Sequence, residues 1–331
     1  MFNSIITAAL AVGILGLLLG ALLAYASKIF AVETDPRADA ILEVLPGANC
    51  GGCGFAGCSA VAEAIASGKA PVNTCPVGGA DVAAKVAVIM GQEAVEMEKQ
   101  VAFVHCHACQ ADCAQKFEYY GEKDCVQAAA YQGGSKVCES GCLGFGSCVS
   151  VCKFGAIKIN DDGVAEVDPE KCTSCGACVE ICPKGLISFM PYGKGVNIGC
   201  SNKGKGKAVK AACASGCIAC GICEKNCPFD AVHVNKETNL PEFDYEKCRG
   251  CLICAEKCPQ HCIIPFHEKM QAVVDEEKCI GCGQCQKVCP KEAIEGEKKA
   301  PHKVDPEKCI GCGLCTEKCK MDAIHLVPVK K

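Results

Sequence analysis

CIGCGQCQKVCP (residues 279–290) and CIGCGLCTEKCK (residues 309–320) place Cys279, Cys282, Cys285 and Cys289, then Cys309, Cys312, Cys315 and Cys319, in the same C-x2-C-x2-C-x3-C spacing. Three cysteines at i, i+3 and i+6 let one short loop grip three corners of an iron–sulfur cubane, and the fourth points at a neighbouring cluster. The two runs therefore predict two [4Fe-4S] clusters with exchanged fourth ligands. Cys279, Cys282, Cys285 and the distant Cys319 surround one, and Cys309, Cys312, Cys315 and Cys289 the other. Pro290 follows Cys289, whereas Lys320 stands where a second proline would complete the pattern.

Upstream, the same spacing recurs in Cys217, Cys220, Cys223, Cys227 and in Cys248, Cys251, Cys254, Cys258. It recurs again in Cys172, Cys175, Cys178, Cys182, and in stretched form in CESGCLGFGSCVSVC, with Cys138, Cys142, Cys148 and Cys152. The stretched half is expected to hold its cluster through Cys138, Cys142, Cys148 and Cys182. GCLGFG is no nucleotide fingerprint, since no strand and helix frame it. The repeat extends past cysteine: Val167-Asp168-Pro169-Glu170-Lys171 returns as Val274-Asp275-Glu276-Glu277-Lys278 and as Val304-Asp305-Pro306-Glu307-Lys308. Each half reads as strand, cluster loop, short helix, strand. The fold class is α+β, with tandem bacterial-type 2[4Fe-4S] ferredoxin modules over residues 133–198, 199–266 and 267–331. Modules this small fall below the ~70 to 80 residues at which an apolar core suffices, so the clusters serve as the core.

A different set precedes them. CGGCGFAGC carries Cys50, Cys53 and Cys58, and Cys75-Pro76 follows a helix-compatible stretch. Its glycines permit a backbone that curls closely around a bulky group. These four cysteines predict one self-contained cluster in a small domain over residues 29–101, with a helix across Asp81 to Val101 beside it. Cys106, Cys109, Cys113 and Cys125 lie in a cysteine-rich connector, residues 102–132, and match no established spacing. One more cluster, a zinc site and plain buried thiols stay open for them. Cys200, Cys213 and Cys262 fall outside every run. The expectation is seven or eight [4Fe-4S] clusters, eight accounting for all but these three of the 35 cysteines.

From Ile5 to Ala26 the chain is almost wholly apolar and uncharged before Lys28, long enough as a helix to cross the ~30 Å hydrocarbon core. A cleaved signal peptide is the alternative, but the first four residues carry no positive charge. Residues 1–28 are read as a single-pass anchor in the cytoplasmic membrane with the bulk of the chain on the cytoplasmic side, where thiols stay reduced. A disulfide scaffold does not repeat a three-residue cysteine spacing ending in proline, and a third cysteine at that spacing suits a cubane better than a zinc knuckle. The net charge of −4 leaves no nucleic-acid footprint. The lysine-rich loop from Ser201 to Lys207 reads as a solvated linker, or as a surface that steers an acidic donor.

Cysteine-ligated cubanes in series move single electrons, and no nucleophile–base pair, phosphate cradle or flavin motif accompanies them, so the reaction must be completed by partners. An apolar N-terminal helix, CGGCGFAGC with Cys75-Pro76, and GCLGFGSCVSVCKFGAI running into ferredoxin spacings together resemble the RnfB family of the Rnf complex along essentially the whole chain. The resemblance implies a subunit of a membrane-bound ferredoxin:NAD oxidoreductase coupled to Na+ or H+ translocation. Reduced ferredoxin is then the donor, other Rnf subunits are the partners, and NAD and flavin sites lie on those sister subunits. It also implies that Cys50, Cys53, Cys58 and Cys75 form the membrane-proximal exit. The modules after Cys182 exceed the shorter family members. The rival readings are a membrane-bound polyferredoxin and an Rsx-type subunit that reduces another redox protein.

Overall fold

The cysteine spacings leave room for little more than one helical turn between ligands, and that is how the chain is built. The computed structural model describes residues 2–29, 35–93, 98–193 and 195–329, with the side chains of the first helix described over 13–26. The chain divides into two units, one of residues 1–49, 55–75 and 81–95, the other of residues 50–54, 76–80 and 96–331.

The first unit is helical. α1 (Phe2–Ile29) is followed by α2 (Pro36–Val44), which Asp35 caps by accepting the Arg37 N–H, with Pro36 at the first helical position. α3 (Cys58–Ala66) buries Val61, Ala62 and Ile65, while Ile41 of α2 is fully buried. α4 (Gly79–Met90) stops at Gly91, whose φ of 65° is left-handed. The helix expected to continue to Val101 is therefore shorter. Gln100 and Val101 belong instead to a strand, because a partner strand takes their backbone groups and the core takes Val101. Among the described residues no helix is long and apolar enough to cross a membrane. The span expected over Ile5–Ala26 lies partly outside the described side chains.

The second unit is a series of two-stranded antiparallel ribbons and very short helices. In chain order these are β1 (Gln100–Val104), α5 (Cys125–Ala130), α6 (Ser147–Ser150), β2 (Ile157–Ile159), β3 (Ala165–Val167), α7 (Ala177–Ile181) and β4 (Ile187–Pro191). Next come β5 (Val196–Ile198), α8 (Gly206–Ala212), α9 (Ile222–Lys225), β6 (Val232–Val234), β7 (Pro241–Phe243), α10 (Ile253–Glu256) and β8 (Ile263–Pro265). The last stretch holds β9 (Met270–Val274), α11 (Gln284–Val288), β10 (Ile294–Glu295), β11 (Lys303–Val304), α12 (Leu314–Lys318) and β12 (Ile324–Pro328). An outer ribbon joins the first and last strand of each module, β1 to β4, β5 to β8 and β9 to β12, and an inner ribbon joins the middle two, β2 to β3, β6 to β7 and β10 to β11.

This pairing moves two boundaries. Residue 101 falls inside β1, which is the outer strand of the first module, and residues 196–198 form the outer strand of the second. The connector is thus an insertion within the first module, between its first strand and its first ligand loop.

The repeated Val-Asp-x-Glu-Lys phrase has one structural job. Asp168, Asp275 and Asp305 each donate their backbone N–H to an alanine carbonyl of the opposite half, Ala156, Ala323 and Ala293. Their carboxylates accept the N–H groups two and three residues on, and their carbonyls accept the N–H of Cys172, Cys279 and Cys309. Each aspartate therefore fixes where the first ligand of its loop begins. Hydrogen bonds from Lys171 and Lys278 hold Asp168 and Asp275 below the usual carboxylate range.

Candidate metal centres

Four small cysteine-lined cavities recur along the second unit. One is lined by Cys152, Cys172, Cys175 and Cys178, a second by Cys227, Cys248, Cys251 and Cys254, and a third by Cys289, Cys309, Cys312 and Cys315. The fourth is lined by Cys217, Cys220, Cys223 and Cys258, with Cys262 as a fifth thiol. In each set one cysteine comes from the opposite half of its module. Burial, followed by the Cys251 and Cys248 thiolates, pushes the Cys254 thiol up to about 12. Burial and neighbouring thiolates likewise push Cys178 and Cys315 up to about 11. Thiolates crowded in this way need a cation to neutralise them.

Backbone groups already point at the sulfurs. The N–H four residues after the crossing cysteine donates to its Sγ in five of the half-modules: Ala156 to Cys152, Leu186 to Cys182, Ala231 to Cys227, Ala293 to Cys289 and Ala323 to Cys319, at 3.3 to 3.4 Å. From the outer strands, Ala102 donates to Cys172 Sγ at 3.4 Å and Ala272 to Cys309 Sγ at 3.5 Å. Four thiols around an apolar cavity, with N–H donors on the sulfurs, fit a [4Fe-4S] cluster, whose potential such hydrogen bonds tune. Among the described residues no three His, Cys, Asp or Glu side chains gather closely enough for a single metal ion.

The loop geometry that exposes these thiols depends on left-handed residues. Gly176, Gly221, Gly283 and Gly313 precede α7, α9, α11 and α12 with φ between 69° and 84°. Leu252 adopts the same conformation before α10, and its burial against the second module's core holds it there.

The stretched half brings together thiols that its spacing does not pair. Cys148 is raised to about 12 by burial and then by Cys142, Cys125 and Cys182. Cys125 is brought there by Ser147, whose hydroxyl accepts the Cys125 N–H at 2.7 Å and donates to the Asp124 cap of α5 at 2.6 Å. Cys138 instead meets Cys113 and Cys213, and accepts a 3.5 Å hydrogen bond from Asn202. Cys106 accepts the Cys142 N–H at 3.3 Å. Cys109 is half-buried, at the start of a single 3-10 turn. The structure thus places Cys106 beside Cys142, Cys113 beside Cys138 and Cys125 near Cys148. Cys279 and Cys282 flank Cys285, and Cys319 belongs to the same core as Cys285. His302, fully buried, places Nδ1 3.8 Å from Cys279 Sγ and pairs Nε2 with Gln286 at 3.1 Å. Nothing in the sequence singled out this histidine.

Of the N-terminal set, Cys58 and Cys75 lie in the first unit and Cys50 and Cys53 in the second. The Cys58 N–H donates to the Asn49 side chain at 2.8 Å. A Cβ on Gly52 would stand 2.3 Å from the Cys175 carbonyl oxygen, so the glycine permits the 50–54 loop to lie directly on a cluster loop. Gly52→Ala is expected to push that loop away from Cys175. Stopped-flow absorbance should then show slower electron flow out of the first module, with the iron content unchanged.

The comparisons agree with this geometry. Residues 272–326 match a 4Fe-4S dicluster domain, as do 247–293 and 216–263; 165–188 and 142–156 match 4Fe-4S binding domains; and 45–77 match a putative Fe-S cluster domain. The chain is 49% identical over 249 residues to the B subunit of the Na(+)-translocating ferredoxin:NAD(+) oxidoreductase complex of Acetobacterium woodii, covering 75% of this chain and 74% of that one. The chain belongs to the RnfB family. Another RnfB relative, the B subunit of the ion-translocating oxidoreductase complex of Methanosarcina acetivorans, is 46% identical, with 71% of this chain and 88% of that one covered. The B subunit of the proton-translocating ferredoxin:NAD(+) oxidoreductase complex of Clostridium ljungdahlii is 44% identical over 74% of this chain and 86% of that one. These long RnfB chains align with far more of the sequence than that of Rhodobacter capsulatus, which matches 32% of it.

Proposed function

We propose that this chain is the electron-entry subunit of an ion-translocating ferredoxin:NAD+ oxidoreductase, taking electrons from reduced ferredoxin and relaying them toward partner subunits in the membrane. The observation that carries this reading is the 49% identity to the B subunit of a ferredoxin:NAD(+) oxidoreductase over three quarters of both chains. When bound, [4Fe-4S] clusters supply one-electron transfer. The chain's own part is to hold them in order, insulate them and set their potentials through sulfur hydrogen bonds.

On this reading Cys125, Cys142, Cys148 and Cys182 hold one cluster of the first module, and Cys152, Cys172, Cys175 and Cys178 the other. Cys217, Cys220, Cys223 and Cys258, with Cys227, Cys248, Cys251 and Cys254, serve the second module. Cys279, Cys282, Cys285 and Cys319, with Cys289, Cys309, Cys312 and Cys315, serve the third. Cys50, Cys53, Cys58 and Cys75 hold the exit cluster, and the C-terminal module, farthest along the chain from the anchor, receives ferredoxin.

α1 is the membrane anchor, with the modules on the cytoplasmic side. Leu15, Leu17, Leu18, Leu19, Leu22 and Leu23 are all exposed, and successive exposed leucines run around the helix rather than along one face. A helix apolar on every side is stable in lipid.

The test is anaerobic titration of the assembled complex with reduced ferredoxin. Reduced-cluster EPR signals from this subunit should appear first, followed by NADH. NADH formation with these clusters still oxidised would overturn the entry role.

A further inference from the structure

The first two modules are related by an approximate internal repeat that extends beyond their ferredoxin spacings. Cys138-Glu139-Ser140-Gly141-Cys142 and Cys213-Ala214-Ser215-Gly216-Cys217 share the pattern C-x-S-G-C. Each lies opposite a cysteine placed just after an outer strand, Cys106 after β1 and Cys200 after β5. The hydrogen bonds repeat as well. Cys142 N–H donates to Cys106 Sγ at 3.3 Å, and Cys217 N–H to Cys200 Sγ at 3.4 Å. His105 N–H meets the Leu186 carbonyl and Gly199 N–H the Cys262 carbonyl, both at 2.7 Å.

The two copies face each other. His107 N–H donates to Gly199 O at 2.9 Å, His105 Nδ1 to Ile198 O at 2.9 Å, and Ser201 Oγ to His105 O at 3.0 Å. The segment around Cys113 runs between residues 135–137 and 212–214, bonding to both, which draws Cys138 and Cys213 together. Cys106, Cys138, Cys200 and Cys213 are all buried. Asn202 donates its backbone N–H to Cys200 Sγ and its side-chain amide to Cys138 Sγ, both at 3.5 Å, while Cys138 lies within electrostatic reach of Cys106 and Cys200, and Cys213 within reach of Cys138.

A second, independent observation points to what occupies this place. Lys136 is only 3% exposed, and its ammonium has no hydrogen-bond partner among the described residues. It lies close enough to Cys106, Cys113 and Cys142 to favour their thiolates. A buried, unpaired cation requires a compensating anion. A cubane with four thiolate ligands carries net negative charge and would provide it.

We propose that Cys106 and Cys138 of the first module, with Cys200 and Cys213 of the second, hold a further [4Fe-4S] cluster that bridges the two modules. The proposal rests on the iron–sulfur reading of the chain. It makes the junction an electron-transfer step and leaves Cys109, Cys113 and Cys262 as the thiols outside the clusters. Lys136 is a positioning residue whose charge favours the cluster's reduced form.

The test uses the full-length chain purified anaerobically, with iron and acid-labile sulfide counted per molecule. At four irons per cubane, the wild type should hold about thirty-two. Cys200→Ala and Cys213→Ala should each fall to about twenty-eight, while Cys109→Ala and Cys113→Ala should stay at about thirty-two. Lys136→Met should keep the iron but lower the midpoint potential of one cluster in a redox titration. That measurement stands even where a cysteine variant misfolds.

A wild type with about twenty-eight irons, unchanged in Cys213→Ala, would overturn the bridging site and leave the other clusters standing. Loss of iron in Cys113→Ala but not in Cys106→Ala would overturn the ligand set. Unaltered potentials in Lys136→Met would remove the role given to the lysine. Zinc in place of iron throughout would defeat the iron–sulfur reading itself.

Discussion

Removal of iron from the full-length chain by a chelator under reducing conditions is expected to abolish most of the folded structure of residues 100–329. The third module shows why. Its buried core consists of Ala272, Cys285, Ile294, Cys315 and Ile324, so two of the five residues are cysteines of the ferredoxin runs. Its inner ribbon pairs only Ile294 with Val304 and Glu295 with Lys303, and α11 and α12 are five residues each. Isolated helices shorter than ~12 residues and isolated two-stranded ribbons are marginal in water. The crowded thiols add repulsion once the metal is gone.

Metal binding to structural cysteine sites is worth roughly 10 kcal/mol or more where it has been measured for zinc, comparable to the whole stability of a small domain. Circular dichroism and limited proteolysis before and after chelation would check this. Native-like protease resistance in iron-free protein would refute it. α2 and α3, which bury Ile41, Val61 and Ile65 against apolar neighbours, should be the part that persists.

Cys58→Ala is expected to reduce NADH formation by the assembled complex to background while leaving the modules reducible by ferredoxin. Cys58 opens α3, where its N–H is held by Asn49, and alanine keeps the helix start intact. The loss should therefore be confined to the proposed exit cluster. Four irons fewer per chain, with the EPR signals of the remaining clusters intact, would separate a broken relay from a misfolded subunit. Normal NADH formation in that variant would show that electrons leave by another route. The contrast with Gly52→Ala is informative: one substitution removes a cluster and the other only alters the approach of its loop to Cys175.

The regular cysteine runs were legible in the sequence because a cluster loop is a local object. Ligands at i, i+3 and i+6 follow from one loop wrapped on one cubane, so spacing alone carries the chemistry. The Val-Asp-x-Glu-Lys phrase was legible for the same reason, as aspartate and cysteine act within four residues. The apolar stretch over Ile5–Ala26 and the membership of a family with CGGCGFAGC were equally available from composition and pattern.

What the sequence left open were contacts between distant segments. Cys125 reaches Cys148 only because Ser147 bonds to Asp124, and Cys138 meets Cys213 only because the Cys113 segment lies between them. Neither spacing encodes that. The shared C-x-S-G-C pattern was visible, but its meaning depends on β1 and β5 setting Cys106 and Cys200 opposite it. Likewise the helix expected to run to Val101 yielded to β1, since strand identity there depends on β4, more than eighty residues away. Local loop chemistry was determined by the sequence by itself, because each cluster loop is wrapped by neighbouring residues. The approach of Cys125 to Cys148 and of Cys138 to Cys213, and the burial of Lys136 among thiols, were decided only by the tertiary structure, because chain segments far apart in sequence must close before those groups meet.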